Sequence, residues 1–167
     1  MKMVRMELLY TSKMEQSSTN KITLLFGRIC SGKSSYMPDS YRISVSNLVR
    51  GILNTADRAN LQNSQHLDQE IADSLLMTMF HVCEQYPHVI VDGIRQVSIV
   101  NRVLEEFPDA ELVWLEVPTK ERKRRYEHRK DTKDVEPFEI ADTKPIELEC
   151  QNIFEVYKNK LVILDNN

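Results

Sequence analysis

Residues 27 to 34 have the sequence GRICSGKS, with Lys33 and Ser34 directly after the second glycine. In the pattern G-x-x-x-x-G-K-[ST], the glycines let the backbone turn so tightly that successive N–H groups converge on an anion. The positive end of a following helix strengthens the same site. We therefore predict a phosphate-binding loop made of Gly27, Arg28, Ile29, Cys30, Ser31, Gly32, Lys33, Ser34 and Ser35.

Two residues of this loop carry side chains suited to phosphate chemistry. Lys33 would reach the β- and γ-phosphates of a nucleotide as a point charge, and the Ser34 hydroxyl would be a ligand for Mg²⁺. The apolar run from Lys21 to Phe26 predicts a short buried strand that leads into the loop, which is the context the motif requires.

The composition sets broad limits on the kind of protein. A chain of 167 residues with 41% hydrophobic and 28% charged residues suits one globular domain. Its net charge of -3 gives no reason to expect nucleic acid or a membrane surface as a partner. Three widely spaced cysteines form no metal pattern and no disulfide framework, and we find neither a signal peptide nor an apolar run of about 18 residues. The expected location is the cytoplasm.

The elements after the loop alternate between helices and strands. Leu67, Ile71, Leu75, Met79 and Cys83 recur at spacing four, with Leu76 and Phe80 beside them, and predict a helix over about 64–86 with its Met and aromatic positions in the core. Apolar runs predict strands at 88–93, 111–117 and 161–165, and further helices are expected at 97–107, 118–130 and 144–158. This order predicts an α/β fold: a parallel β-sheet with helices on both faces, in a P-loop NTPase or kinase architecture.

A phosphate loop is common to several classes of enzyme, so other segments must distinguish them. The guanine-specific motif NKxD and the transporter motif LSGGQ are both absent. Over residues 21 to 165 the chain instead resembles the nucleoside monophosphate kinases of the adenylate kinase type. Three segments carry the resemblance besides the loop: ISVSNLVR (43–50), VIVDGIR (89–95) and LEVPTKERKRRYEHR (115–129).

The resemblance implies ATP with Mg²⁺ as the phosphate donor, nucleotides as small-molecule substrates and a set of arginines that hold phosphates. Arg50 matches the position that binds the acceptor's phosphate, and Arg95 matches a second acceptor contact with a catalytic role. Asp92, at the end of a strand, would hold Mg²⁺ through water and line the substrate site. Arg125 and Arg129 lie at the i, i+4 spacing that places both guanidinium groups on one helix face, where they would bind the transferring phosphoryl group.

The chain departs from the family pattern at three places. Pro38 follows Lys33 so closely that the usual long helix after the loop must be short or distorted. One residue fewer separates Asp92 from Arg95 than is usual. No arginine follows Arg129, so that Lys130, Lys133 and Lys144 are the available substitutes, and the lid at about 130–145 is short, acidic and without a cysteine set.

The expected organisation is an N-terminal appendage over residues 1–20 and one kinase domain over residues 21–167. The expected activity is transfer of the γ-phosphoryl group of ATP to a nucleoside or deoxynucleoside monophosphate. Two alternatives stay open at this point. One is a kinase of another phosphate-bearing metabolite such as dephospho-coenzyme A, and the other is a nucleotide-binding regulatory module without turnover. The sequence does not predict an oligomeric state.

Overall fold

The computed structural model describes residues 20–54, 67–129 and 135–167. Over these residues the chain forms a five-stranded parallel sheet in the order β2-β3-β1-β4-β5, which confirms the predicted α/β class. The strands are β1 Lys21–Phe26, β2 Tyr41–Ser44, β3 His88–Asp92, β4 Glu111–Glu116 and β5 Val162–Asp165. The strand that leads into the phosphate loop is therefore the central one.

The helices Asp68–Cys83, Val97–Glu106, Thr119–Arg129 and Pro145–Tyr157 lie close to their predicted bounds, whereas no bounds are predicted for the helix Val45–Leu53 and the short helix Phe138–Asp142 falls within the predicted lid. They are α1 Val45–Leu53, α2 Asp68–Cys83, α3 Val97–Glu106, α4 Thr119–Arg129, α5 Phe138–Asp142 and α6 Pro145–Tyr157. At the end of the loop the chain makes a single 3-10 turn over Lys33–Ser35 and then bends at Met37, which has φ 45°, into a turn that contains Pro38. The expectation of a shortened helix there is confirmed, because a proline so soon after the loop prevents an α-helix from continuing.

The strand register brings the carboxyl ends of three strands together. Leu25 of β1 lies opposite Asp92 of β3, and Asp92 lies opposite Ser44 of β2. On the other side, Phe26 lies opposite Trp114 of β4. The phosphate loop, Asp92 and the start of α1 consequently share one edge of the sheet, where parallel sheets bind their ligands.

The main core lies between the sheet and the packed faces of α1, α2, α3 and α6. The predicted spacing along α2 is confirmed at Ile71, Leu75 and Met79, which are almost completely buried. The expectation that Met and aromatic positions of this helix are core is wrong for Met77 and Phe80, which are 75% and 40% exposed. They fall off the spacing-four stripe, and Phe80 instead packs at the rim against the Phe107 ring, 5.0 Å away.

A small separate cluster joins the phosphate loop to α4 and α5. Ile29 of the loop packs with Tyr126, Phe138 and Ala141, all of them buried. The Tyr126 hydroxyl also donates to the Glu136 carbonyl at 2.8 Å. Phe138 and Ala141, which belong to the predicted lid at about 130–145, are therefore packed on the loop itself. The predicted appendage 1–20 lies outside the described residues except for Asn20, as do lid residues 130–134, and the domain boundaries stay a prediction.

Candidate phosphate-binding site

The loop backbone has the left-handed conformations that its glycines permit. Gly32 has φ +88° and Gly27 has φ +146°, values that L side chains rarely adopt. A Cβ at Gly32 would lie 2.4 Å from Asn166 Nδ2, so a larger residue would force the Asn166 side chain to move. Cys30 shows that one non-glycine position of the loop is also left-handed, with φ 60°. The two motif glycines are therefore required by the conformation of the loop.

Lys33 lies back across the loop that precedes it. Its ammonium group donates to the Gly27 carbonyl at 2.5 Å, to the Arg28 carbonyl at 3.0 Å and to Ser31 Oγ at 3.3 Å. Burial of the ammonium group, followed by the charge of Arg95, lowers the pKa of Lys33 to about 8. Cys150, Glu147 and Asp92 act in the opposite direction. Lys33 is thus a cation held at the loop, close to a second cation.

Asn166, the residue after β5, contacts the side of the loop opposite Lys33's carbonyl partners through Ser31. Asn166 Nδ2 donates to the Ser31 carbonyl at 2.8 Å, and Arg125 Nη2 donates to the Asn166 carbonyl at 2.6 Å. Arg125 also forms an ion pair with Glu121 at 2.8 Å, and hydrogen bonds from Arg124 and Arg125 lower the pKa of Glu121 to about 2. The structure therefore places Arg125 beside the loop, as the sequence predicts.

Arg95 is partly buried, with 22% of its side chain exposed, and it is paired with a carboxylate that was not predicted from the sequence. Its Nη1 is 3.1 Å from Glu147 Oε1, while Glu147 Oε2 accepts a hydrogen bond from the Ile29 amide at 2.9 Å. Burial opposes the charge of Arg95, but Glu147 and Cys150 more than offset that effect and raise the pKa of Arg95. Arg95 is near the phosphate loop as predicted, although its partner in this state is internal.

A second buried ion cluster joins the loop to α4 and α5. Arg122 is 3% exposed and forms a two-point pair with Asp142, which also accepts Arg28 of the loop at 3.1 Å. Arg28 additionally donates to the Asp142 backbone carbonyl at 2.5 Å. One carboxylate thus holds two guanidinium groups from two different elements, which fixes α4 and α5 against the loop.

The predicted metal ligands have suitable chemistry, because a hydroxyl and a carboxylate oxygen are what Mg²⁺ prefers. Ser34 is exposed in the 3-10 turn, and Asp92 lies at the end of β3. Asp92 Oδ2 accepts from Arg42 at 2.7 Å, and Arg42 also donates to the Tyr36 carbonyl at 2.6 Å. No group of three or more acidic, histidine or cysteine side chains clusters within the described residues. Ser34 and Asp92 therefore fit a water-rich Mg²⁺ site, with Arg42 as a competitor for Asp92.

Two predicted arginines lie farther from this cluster. Arg50, on α1, donates to Asn47 at 2.9 Å, which is a local contact along its own helix. Arg129 is exposed, and its guanidinium carbon lies 5.2 Å from the Tyr126 ring centre. In this state the structure brings Lys33, Arg95 and Arg125 to the loop, and it leaves Arg50 and Arg129 toward the surface.

Four charged residues that pair at the site were not predicted: Glu147, Asp142, Arg42 and Arg122. The first two belong to the segment that the sequence predicts as a short acidic lid and the helix after it. The sequence feature that could have indicated them is charge balance: any arginine that is buried near the loop requires a carboxylate as its partner. Pairing each arginine with its carboxylate requires the three-dimensional structure.

A cleft of about 420 Å³ opens beside the loop on the α6 side of the sheet. Trp114 and Phe154 meet edge to face in its wall, 5.0 Å apart, and the Trp114 indole donates to Glu116 at 2.7 Å. Arg28 and Arg122 line its other side. The loop thus has a partly aromatic recess next to it.

Comparison with known proteins gives the fold. No family model matches the chain, and no curated protein matches it in sequence. None of the described helices combines the length and apolar character needed to cross a membrane. An unliganded sugar kinase from Janibacter sp. is similar in structure, with a TM-score of 0.52 and 12% sequence identity over 87% of this chain and 85% of that one. The chain therefore has an α/β, kinase-like fold.

Proposed function

We propose that this protein is an ATP·Mg²⁺-dependent kinase that transfers the γ-phosphoryl group to a nucleoside or deoxynucleoside monophosphate. The observation that carries the proposal is the phosphate loop at the carboxyl end of the central strand, with left-handed Gly32 and with Lys33 held across it. The structural likeness to a protein described as a sugar kinase supports phosphoryl transfer in general.

The chain's own residues would supply binding and charge. The loop amides would hold the phosphates of ATP, and Lys33 would leave its carbonyl partners to reach the β- and γ-oxygens. Arg125, at the loop, and Arg129, one turn farther along α4, would neutralise the charge that spreads over the transferring group. An acceptor that is already an anionic phosphate needs no general base, so alignment and charge neutralisation account for most of the catalysis.

Ser34 and Asp92 would hold the Mg²⁺ ion, which neutralises charge on the β- and γ-oxygens when it is bound. The acceptor's phosphate would bind Arg50 and Arg95. Glu147 is paired with Arg95, and Asp92 is paired with Arg42. Each carboxylate would balance the positive charge of its arginine until a polyanionic substrate binds. The lid segment, whose Phe138 and Ala141 already pack on the loop, would exclude water from the site. We place the reaction in the cytoplasm.

A non-catalytic nucleotide-binding module is the second candidate. It is favoured by the same two ion pairs, Arg95 with Glu147 and Asp92 with Arg42, because they occupy side chains that a kinase would use for its substrates. A kinase acting on dephospho-coenzyme A or another phosphate-bearing metabolite differs only in the acceptor. Transfer from ATP·Mg²⁺ to a panel of ribonucleoside and deoxyribonucleoside monophosphates, dephospho-coenzyme A and simple sugars separates these functions. Formation of a nucleoside diphosphate from one or more monophosphates supports the proposal. Tight ATP binding without transfer to any acceptor would favour the module.

A further inference from the structure

We propose that the cleft at the end of β4 is a second small-molecule site, and that it binds a planar aromatic ligand with one carboxylate group. The cleft has a volume of about 420 Å³ and lies between the last residues of β4, the start of α4 and the α6 residues Gln151 and Phe154. This volume is in the range of pockets that hold small molecules. The inference goes beyond the proposed function, because it does not require phosphoryl transfer.

One end of the cleft has a guanidinium group with an unused donor. Arg28 Nη2 contacts the Asp142 backbone carbonyl at 2.5 Å and the Asp142 carboxylate at 3.1 Å, but Arg28 Nε is buried and has no partner among the described residues. The Arg28 side chain is 24% exposed and lines the cleft. A buried donor without an acceptor is costly, and a carboxylate bound at this end would supply oxygen acceptors to the guanidinium group.

The charges at this end favour a ligand with a single negative charge. Arg122 also lines the cleft, and all three of its side-chain nitrogen atoms already donate to described neighbours. Arg28 and Arg122 share one carboxylate, Asp142, which leaves a net positive charge on the cluster. Glu116 lines the cleft as well and would repel a second negative charge on the ligand. A carboxylate therefore fits this end better than a dianionic phosphate.

The other residues of the cleft offer apolar surface to a flat ring. Phe154 is partly exposed, and its ring meets Trp114 edge to face with the ring centres 5.0 Å apart. Pro118 lines the same cleft and is exposed. The Trp114 indole N–H is already bonded to Glu116 at 2.7 Å, so the indole offers its apolar body and not its donor. Aromatic rings pack favourably against such surfaces, which an anion without a ring does not use.

The cleft is separate from the groups that are proposed to hold ATP. Within the described part of the chain, its lining includes none of Lys33, Ser34, Asp92 and Arg125. The loop reaches the cleft through Arg28, the second residue of the loop. We therefore expect the cleft to bind its ligand while ATP occupies the loop.

Trp114 is the only tryptophan of the sequence, so its fluorescence reports on this cleft. The probe is phenylacetate, with phenylacetamide as the uncharged match and acetate as the match without a ring. Without nucleotide, phenylacetate should change the fluorescence saturably, with a Kd of about a few millimolar for a ligand of this size. Phenylacetamide should bind about tenfold more weakly, since it lacks the charge-assisted bond to Arg28, and acetate should not saturate. Equal binding of the acid and the amide would overturn the proposal.

Arg28→Gln tests the anionic end of the ligand. It removes the guanidinium group and leaves Asp142 paired with Arg122. We expect it to weaken phenylacetate binding by about tenfold, so that the acid and the amide bind alike. Arg102→Gln, on α3, removes an arginine outside the cleft and should have no effect. Unchanged phenylacetate binding in folded Arg28→Gln protein would overturn the proposal.

Gln151→Phe covers the case in which Arg28→Gln does not fold. It fills the cleft from α6 and changes no charged residue, and we expect phenylacetate no longer to saturate. Asn152→Phe, at the neighbouring exposed position outside this cleft, is the matched control and should bind phenylacetate normally. Normal binding by Gln151→Phe would place the ligand elsewhere and refute the site.

The same titration at saturating ATP·Mg²⁺ separates the cleft from the nucleotide site. The Kd of phenylacetate should change little, whereas a Kd that rises in proportion to the ATP concentration would make the cleft part of the nucleotide site and overturn the proposal. If the wild type binds no ATP, or transfers phosphate to no acceptor, the proposed function fails. The titration without nucleotide still decides whether the cleft is a site in that case.

Discussion

Gly32→Ala tests whether the left-handed loop is a binding element. At φ +88° an alanine is strained by about 1–2 kcal/mol. Its Cβ would lie 2.4 Å from Asn166 Nδ2, so the Asn166 amide must move and release the Ser31 carbonyl. The lost hydrogen bond adds about 1 kcal/mol. The sum of roughly 2–3 kcal/mol destabilises the loop conformation that would hold the phosphates, and it predicts ATP affinity weaker by about 30- to 150-fold.

Isothermal titration calorimetry with ATP·Mg²⁺ measures this loss, and denaturant unfolding measures the stability of each variant. Gly51→Ala is the matched control, since Gly51 lies in α1 with nothing within 4 Å of an added Cβ. Alanine favours a helix by about 0.5–1 kcal/mol over glycine, so this control should be slightly more stable and bind ATP normally. A loss of about threefold or less in ATP affinity corresponds to about 0.7 kcal/mol or less. If Gly32→Ala shows no larger loss, the left-handed loop is not the element that binds ATP.

Four further substitutions separate the roles of the charged residues. Lys33→Met should lower phosphoryl transfer by about a thousandfold in a coupled ADP assay, and it should also lower the unfolding midpoint because the Gly27 and Arg28 carbonyls lose their donor. A folded variant with normal turnover would contradict the role of Lys33. Asp92→Asn should raise the Mg²⁺ concentration needed for half-maximal rate, whereas an unchanged titration would make Asp92 only the partner of Arg42. Arg125→Lys should lower kcat by about tenfold with little change in either KM, because an ammonium does not bridge two phosphate oxygens; full kcat would show that Arg125 holds Asn166 but does not bind the transferring phosphoryl group. Arg50→Ala should raise the acceptor's KM and leave that of ATP nearly alone in steady-state kinetics, and equal effects on both would remove Arg50 from the acceptor site.

The sheet and the loop could be predicted because their signals are local. The run from Lys21 to Phe26 is mostly apolar and is followed directly by glycine, and this pattern predicts a buried strand that ends in a tight turn. The short helix after the loop could also be predicted from one nearby residue, Pro38, because its ring prevents the helix from continuing. Element order then determined a parallel sheet, because strands separated by helices return in the same direction.

The charge partners could not be predicted because they come from distant parts of the chain. Glu147 meets Ile29 across 118 positions, and Arg122 meets Asp142 through the packing of two helices. A single sequence shows that the segment around Asp142 and Glu147 is acidic, but not which carboxylate enters the buried region. The i, i+4 spacing predicts that Arg125 and Arg129 act at the same site, but the packing of α4 brings only Arg125 to the loop and leaves Arg129 exposed.

Direct observation of phosphoryl transfer tests the central proposal. ³¹P NMR can follow wild-type protein with ATP·Mg²⁺ and each nucleoside or deoxynucleoside monophosphate in turn, with Lys33→Met as the control. We expect the γ-phosphate signal of ATP to fall as the diphosphate signals of ADP and of one acceptor's product rise together, and we expect the control to show no such change. Release of inorganic phosphate alone, or spectra that stay constant with every monophosphate although ATP is bound, would contradict a nucleoside monophosphate kinase.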